Sequence, residues 1–138
     1  MTKFFVMIAA MVAMVGVAKA EEVSITIDIS DQMMYVETPY DRFEWPVSTG
    51  RKGYSTPRGA YQPYLMKKMH YSKKYDNAPM PDSIFFLDGY AIHATEAIDK
   101  LGRPASHGCV RLHPQDANWL YYIVGEYGME NTFIWIKN

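Results

Sequence analysis

Val23, Ile25, Ile27 and Ile29 alternate with Ser24, Thr26 and Asp28. This period of two commits the segment to a β-strand with one buried face, because a helix would scatter the same apolar residues around its circumference. Asp31-Gln32 can turn the chain into a second strand from Met33 to Glu37, and Pro39-Tyr40-Asp41 into a third from Phe43 to Ser48. Together they predict a meander. Residues 49 to 82 are rich in Gly, Pro, Tyr and Lys without either periodicity, which predicts long loops with short strands. Ser83 to Leu87 and Tyr90 to Ala94 flank Asp88-Gly89, a two-residue hairpin signal that would deliver His93 close to a strand end.

The pattern predicts a single main helix. Pro114 suits the first helical position and Asp116 the positive end, while Ala117, Leu120, Tyr121 and Val124 recur at i, i+3, i+4 and i+7 ahead of Gly125, which predicts the stop. Thr132 to Ile136 returns to strand. With no internal repeat and no low-complexity tract, the chain reads as one mainly β domain with one main helix.

Residues 1 to 20 carry Lys3, an apolar stretch from Phe4 to Val17, and Ala18-Lys19-Ala20, the small-x-small form of a signal-peptidase site. An export leader over 1–20 and a mature domain over 21–138 are expected, and with them a periplasmic or cell-envelope location. The stretch is short of the ~20 residues of a membrane-spanning helix, so no stable membrane insertion is expected after cleavage. The leader holds two of the fourteen basic residues, leaving twelve against fifteen acidic ones, a formal charge of −3 that gives no reason to expect nucleic acid as a partner. About 118 residues can bury a core without staples.

Cys109 is the only cysteine, which excludes a disulfide framework and leaves an exported chain with a free thiol. It stands in Ser106-His107-Gly108-Cys109-Val110-Arg111-Leu112, among polar backbone rather than the apolar neighbours of an inert buried thiol. A cysteine nucleophile needs a partner that takes and returns its proton, and donors aimed at the oxygen of a tetrahedral intermediate. At an unperturbed pKa of ~8.5 an imidazole within reach is the simplest activator, and His93 and His107 are the candidates. His107 is close enough in sequence that side-chain pairing is awkward, whereas His93 can approach from a preceding strand. Gly108 permits a tight turn in which backbone amides converge on one oxyanion.

His93, Leu101-Gly102, Pro104 and the run from Ser106 to Leu112, preceded in order by Pro46-Val47-Ser48-Thr49-Gly50 and Thr56-Pro57-Arg58-Gly59, resemble the signature of the L,D-transpeptidases, with their YkuD-type catalytic domain. The resemblance spans the mature chain and implies a β-sandwich-like catalytic fold. It implies that Cys109 is the nucleophile and His93 the proton relay, oriented by the backbone carbonyl of Ala94, where the family usually has glycine or serine. It also implies an oxyanion hole from the amides of His107, Gly108 and Cys109, with Ser106 and Arg111 supporting the site. Arg111 has a fork suited to a substrate carboxylate, and equally to a structural ion pair.

The implied reaction is acyl transfer on peptidoglycan stem peptides, without metal or organic cofactor. Cys109 would displace a terminal D-alanine from a diamino acid and pass the acyl group from a thioester to an amine. The acceptor stays open between a second stem, an outer-membrane protein and, in L,D-carboxypeptidase trimming, water. A non-catalytic wall-binding module and a zinc hydrolase built from His93, His107 and Cys109 are the alternatives from other classes.

Other residues carry weaker signals. His70, Tyr71 and Tyr75 fall in the basic aromatic run 67–75, which either covers a substrate cleft, with the tyrosines stacking on ligand, or is a solvated surface. His113 is expected at the helix cap, Ser106 also suits a simple turn, and Trp45, Trp119, Trp135, Met33 and Met34 are expected in packing.

Overall fold

In the computed structural model, which describes residues 21–138, the alternating segment forms β1 (Val23–Asp28) with Val23, Ile25 and Ile27 fully buried. The leader expectation for residues 1–20 lies outside the described residues. β2 (Met33–Glu37) and β3 (Arg42–Ser48) follow as the antiparallel meander.

β3 joins the two halves of the sheet. Its first part, Arg42 to Pro46, pairs with β2, whereas Val47 and Ser48 pair with β8 (Val110–Leu112). The remaining strands are β4 (Gly59–Tyr61), β5 (Leu65–Ser72), β6 (Ala78–Leu87), β7 (Tyr90–Ala94) and β9 (Thr132–Lys137). The order β4-β9-β1-β2-β3-β8-β7-β6-β5 makes one nine-stranded sheet, with β1·β9 and β7·β8 parallel and the other pairs antiparallel. Apolar residues from both halves, including Ile25, Met34 and Ile134 on one side and Ile84, Ile92 and Val110 on the other, share one core cluster. The sheet therefore curls around a common interior, and helix α1 (Pro114–Tyr127) adds Ala117, Leu120, Ile123 and Val124 to it. The domain is mainly β with one α-helix among the described residues, as the periodicity predicts.

Three expectations need correction. Residues 49–82 hold more strand than expected: β5 runs for eight residues and β6 starts at Ala78. The hairpin is exposed along much of β5, so no apolar alternation marks it, and Pro79 and Pro81 in β6 read as loop although they pair opposite Tyr71 and Met69. The helix runs through Gly125 to Tyr127 and ends at Gly128, whose φ of 94° is open to glycine and unfavourable for other residues. Trp119 and Trp135 are about half exposed rather than core, Trp135 because it alternates outward between buried Ile134 and Ile136. His113 does cap the helix, its Nδ1 accepting from the Gln115 amide at 3.1 Å. Among the described residues, no helix is long and apolar enough to cross a membrane.

Candidate functional site

β7 and β8 lie side by side in parallel, Ile92 against Val110 and His93 against Arg111. Extending that register back by one residue sets Ala91 beside Cys109. Because side chains alternate, Ala91, His93, Cys109 and Arg111 share one face, while Ile92, Val110 and Leu112 point into the core. His93, Cys109 and Arg111 line a cavity of about 670 Å³. Ser106 and His107 close it on one side, and the β5–β6 hairpin, through His70, Tyr75 and Met80, on the other.

The turn before Cys109 is held by hydrogen bonds from distant segments. Thr56 Oγ1, fully buried, donates to the Gly108 carbonyl at 2.8 Å and accepts from the Gly50 amide at 2.9 Å. The Ala105 and Ser106 amides donate to Thr49 O at 2.9 and 3.0 Å. Thr49 is in turn fixed by buried Gln32, which accepts from its amide through Oε1 and donates to its Oγ1 at 2.7 Å through Nε2. Ser106 Oγ donates to Cys109 O at 2.6 Å and accepts from the Gly108 amide at 3.0 Å. Gly108 has a φ of 123°, and a Cβ there would meet the Tyr90 ring at 2.6 Å, so glycine is required for both conformation and space.

His93 is buried, and its Nδ1 lies 2.7 Å from Ala94 O. A backbone carbonyl only accepts, so Nδ1 carries the proton and the neutral ring keeps its lone pair on Nε2. Burial pulls the His93 pKa down to about 4; the Ala94 bond opposes this, and the charges of Arg111 and His70 add to it. Burial likewise pushes the Cys109 thiol up, against a backbone hydrogen bond from Ala91 and the Arg111 charge. At neutral pH the resting pair is thereby a thiol and a neutral imidazole. The sulfur is half-buried, unbridged, and 3.9 Å from Gly89 O.

The other expected site residues divide. Tyr75 lines the cavity and stacks on His107, ring centroids 4.1 Å apart at 10°, while Tyr54 meets the opposite side of the site's aromatic cluster edge-on to His107 at 5.0 Å. His107 is thus an aromatic packing element. Tyr71 is exposed on β5 and does not line the cavity. Arg111 is half-buried, and no ion pair to it is formed among the described residues. His70 packs edge-on against Phe85 at 5.1 Å in the cavity wall. Among the described residues no three of His, Cys, Asp and Glu gather so as to hold a metal ion. The buttress of Gln32, Thr49 and Thr56 escaped the sequence reading; the only signal for it was that Thr49 and Thr56 lie in the two upstream runs.

A family model described as the L,D-transpeptidase catalytic domain (YkuD) matches residues 22–131. Among solved structures, an L,D-transpeptidase from Mycobacterium smegmatis is similar over 85% of this chain and 59% of its own, with a TM-score of 0.74 and 19% identity. One from Stackebrandtia nassauensis covers 86% and 58% at a TM-score of 0.72 and 28% identity. L,D-transpeptidase 3 from Mycobacterium tuberculosis, in complex with a faropenem-derived adduct, covers 84% and 60% at 0.71 and 21%. The chain thus spans less than two thirds of the length of each of these structures. No curated protein matches the sequence significantly.

Proposed function

The chain belongs to the family of L,D-transpeptidase catalytic domains, and from that membership we propose that Cys109 is the nucleophile of an acyl transfer on peptidoglycan stem peptides. One observation carries the reading. The β7–β8 register sets His93 and Cys109 on one face of one cavity, with His93 Nδ1 occupied by Ala94 O and its Nε2 left as a base.

In this reading Nε2 of His93 takes the thiol proton as Cys109 Sγ attacks the carbonyl of the diamino acid that precedes a terminal D-alanine. The oxyanion faces the amides of His107 and Cys109; the Gly108 amide, committed to Ser106 Oγ, holds the turn instead. The C–N bond breaks, His93 returns its proton to the departing D-alanine amine, and a thioester remains on Cys109. An amine acceptor then attacks with its lone pair, the C–S bond breaks, and His93 passes the amine's proton to the departing Cys109 sulfur. Arg111 serves a substrate carboxylate. The chemistry asks for no metal or cofactor. We place it in the cell envelope, where the expected leader would deliver the domain.

Two experiments test this. Faropenem should add one acyl group to Cys109, and Cys109→Ala should remain folded and unlabelled; labelling elsewhere, or turnover by Cys109→Ala, sinks the nucleophile. Mass spectrometry after incubation with purified stem tetrapeptides then reads the acceptor. Cross-linked dimers support transfer between stems, and tripeptides support trimming by water. A tagged outer-membrane acceptor protein that gains a stem peptide would support protein attachment.

A further inference from the structure

We propose that Asp82 is a specificity-determining residue of the cleft, a carboxylate that receives the free ammonium group of the stem's diamino acid. The inference rests on the stem-peptide reading above and assigns a recognition role to a residue outside the reacting pair.

Asp82 is only 7% exposed, yet it lines the same cavity as His93 and Cys109. It sits on β6 directly across from Lys68: Lys67 pairs with Ser83 and Met69 with Pro81, which sets Lys68 opposite Asp82. Its φ of 54° is a left-handed conformation that Asp tolerates better than most non-glycine residues. Apart from Lys68, no group hydrogen-bonds to its buried Oδ1. The one ionic partner is Lys68, whose Nζ lies 2.7 Å from Oδ1 on a side chain 66% exposed that also reaches over the Tyr121 ring. A buried carboxylate is costly unless it is paired and hydrogen-bonded. Here its one ionic partner is a lysine whose side chain is mostly exposed, which leaves the carboxylate able to take a second cation from the cavity it lines.

The rest of the lining is complementary. Lys73, Lys74 and Arg111 offer cations, and Asp82 is the only buried carboxylate; Glu96 is exposed. A glycan-linked stem peptide matches this pattern, with several carboxylates and one free amine, that of the diamino acid. Its ammonium would share Asp82 with Lys68, while its carboxylates face the basic wall.

The test is a binding measurement on the Cys109→Ala protein, which cannot turn over. Calorimetry compares a disaccharide tetrapeptide bearing the free amine with the same compound acetylated at that amine. The free-amine stem should bind at least about tenfold more tightly, the scale of a charge paired in a desolvated site. Asp82→Asn should bring the ratio close to one, and its retained affinity for the acetylated stem reports an intact cleft. A ratio unchanged by Asp82→Asn overturns the proposal, and so does equal binding of both stems by the Cys109→Ala protein alone, which needs no folded Asp82 variant. Faropenem labelling of Cys109 is a separate readout: its failure sinks the nucleophile and leaves the binding ratio to decide Asp82.

Discussion

His93 donates Nδ1–H to the carbonyl oxygen of Ala94, the next residue along β7, at 2.7 Å. The acceptor is backbone, so alanine in place of the usual glycine or serine leaves the bond in place. The bond fixes the tautomer, and burial holds the ring neutral with a pKa of about 4.

The acid limb of acylation should therefore lie far below the histidine norm. A base is lost when it is protonated, so faropenem acylation of Cys109 should fall only as pH drops through about 4, rather than through ~6.5. It should stay level between roughly pH 5 and 8, because burial keeps Cys109 a thiol that needs the base throughout. Stopped-flow or mass-spectrometric rates across this range check it, and an acid midpoint near 6.5 would show that the working imidazole is solvated. His93→Gln should lower the plateau by about 10²–10⁴-fold.

Thr56 should matter for stability as well as for the site. Thr56→Val removes one hydroxyl and strands two groups, the Gly50 amide and the Gly108 carbonyl. Leaving buried partners unpaired costs about 1–3 kcal/mol. Thr56→Ser keeps the oxygen and should recover most of the loss. Urea denaturation of the three proteins, with acylation rates alongside, tests the tie; a Val variant as stable and as fast as wild type would remove Thr56 from the buttress.

Gly108→Ala should be worse for the chemistry than for the fold. The new Cβ meets Tyr90 at 2.6 Å and holds an unfavourable φ, a strain of about 1–3 kcal/mol at the turn that carries the sulfur. Acylation should drop by about tenfold or more, since small misplacements of a reacting atom are expensive. Adding Tyr90→Ala relieves the contact and not the φ, so the double variant should recover only in part. Full recovery would assign the whole effect to the ring.

Much of this was legible because local pattern and final structure agree. The alternation in β1 survives because one face meets the core and the other does not; Cys109 stands out by residue type and flanking glycine, and His93 by its place near a strand end. The β5–β6 hairpin did not: it is exposed along much of β5, so burial imposes no period, and its prolines mimic loop. The same hairpin supplies half of the cavity wall, including Asp82, whose place across from Lys68 is set by a strand pairing that no local pattern encodes. The Gln32–Thr49 and Thr56–Gly108 ties are separations of 17 and 52 residues, set by the curl of the sheet.

The Tyr75–His107 stack separates the two histidines of the site by role. His107 packs face to face on Tyr75 and edge-on to Tyr54, and its imidazole makes no hydrogen bond among the described residues. A ring that serves by its faces can be replaced by another flat ring, so His107→Phe should retain acylation within about tenfold, the scale of one aromatic pair worth ~0.5–1.5 kcal/mol. His107→Ala should lose more, and Tyr75→Ala should lose a similar amount by releasing the other side of the stack. The pH profile supplies the readout that packing alone would not move: with His93 as the base, the acid midpoint of His107→Phe stays where it is in wild type. A Phe variant as inactive as His93→Gln, or one whose acid limb disappears, would transfer the proton relay to His107.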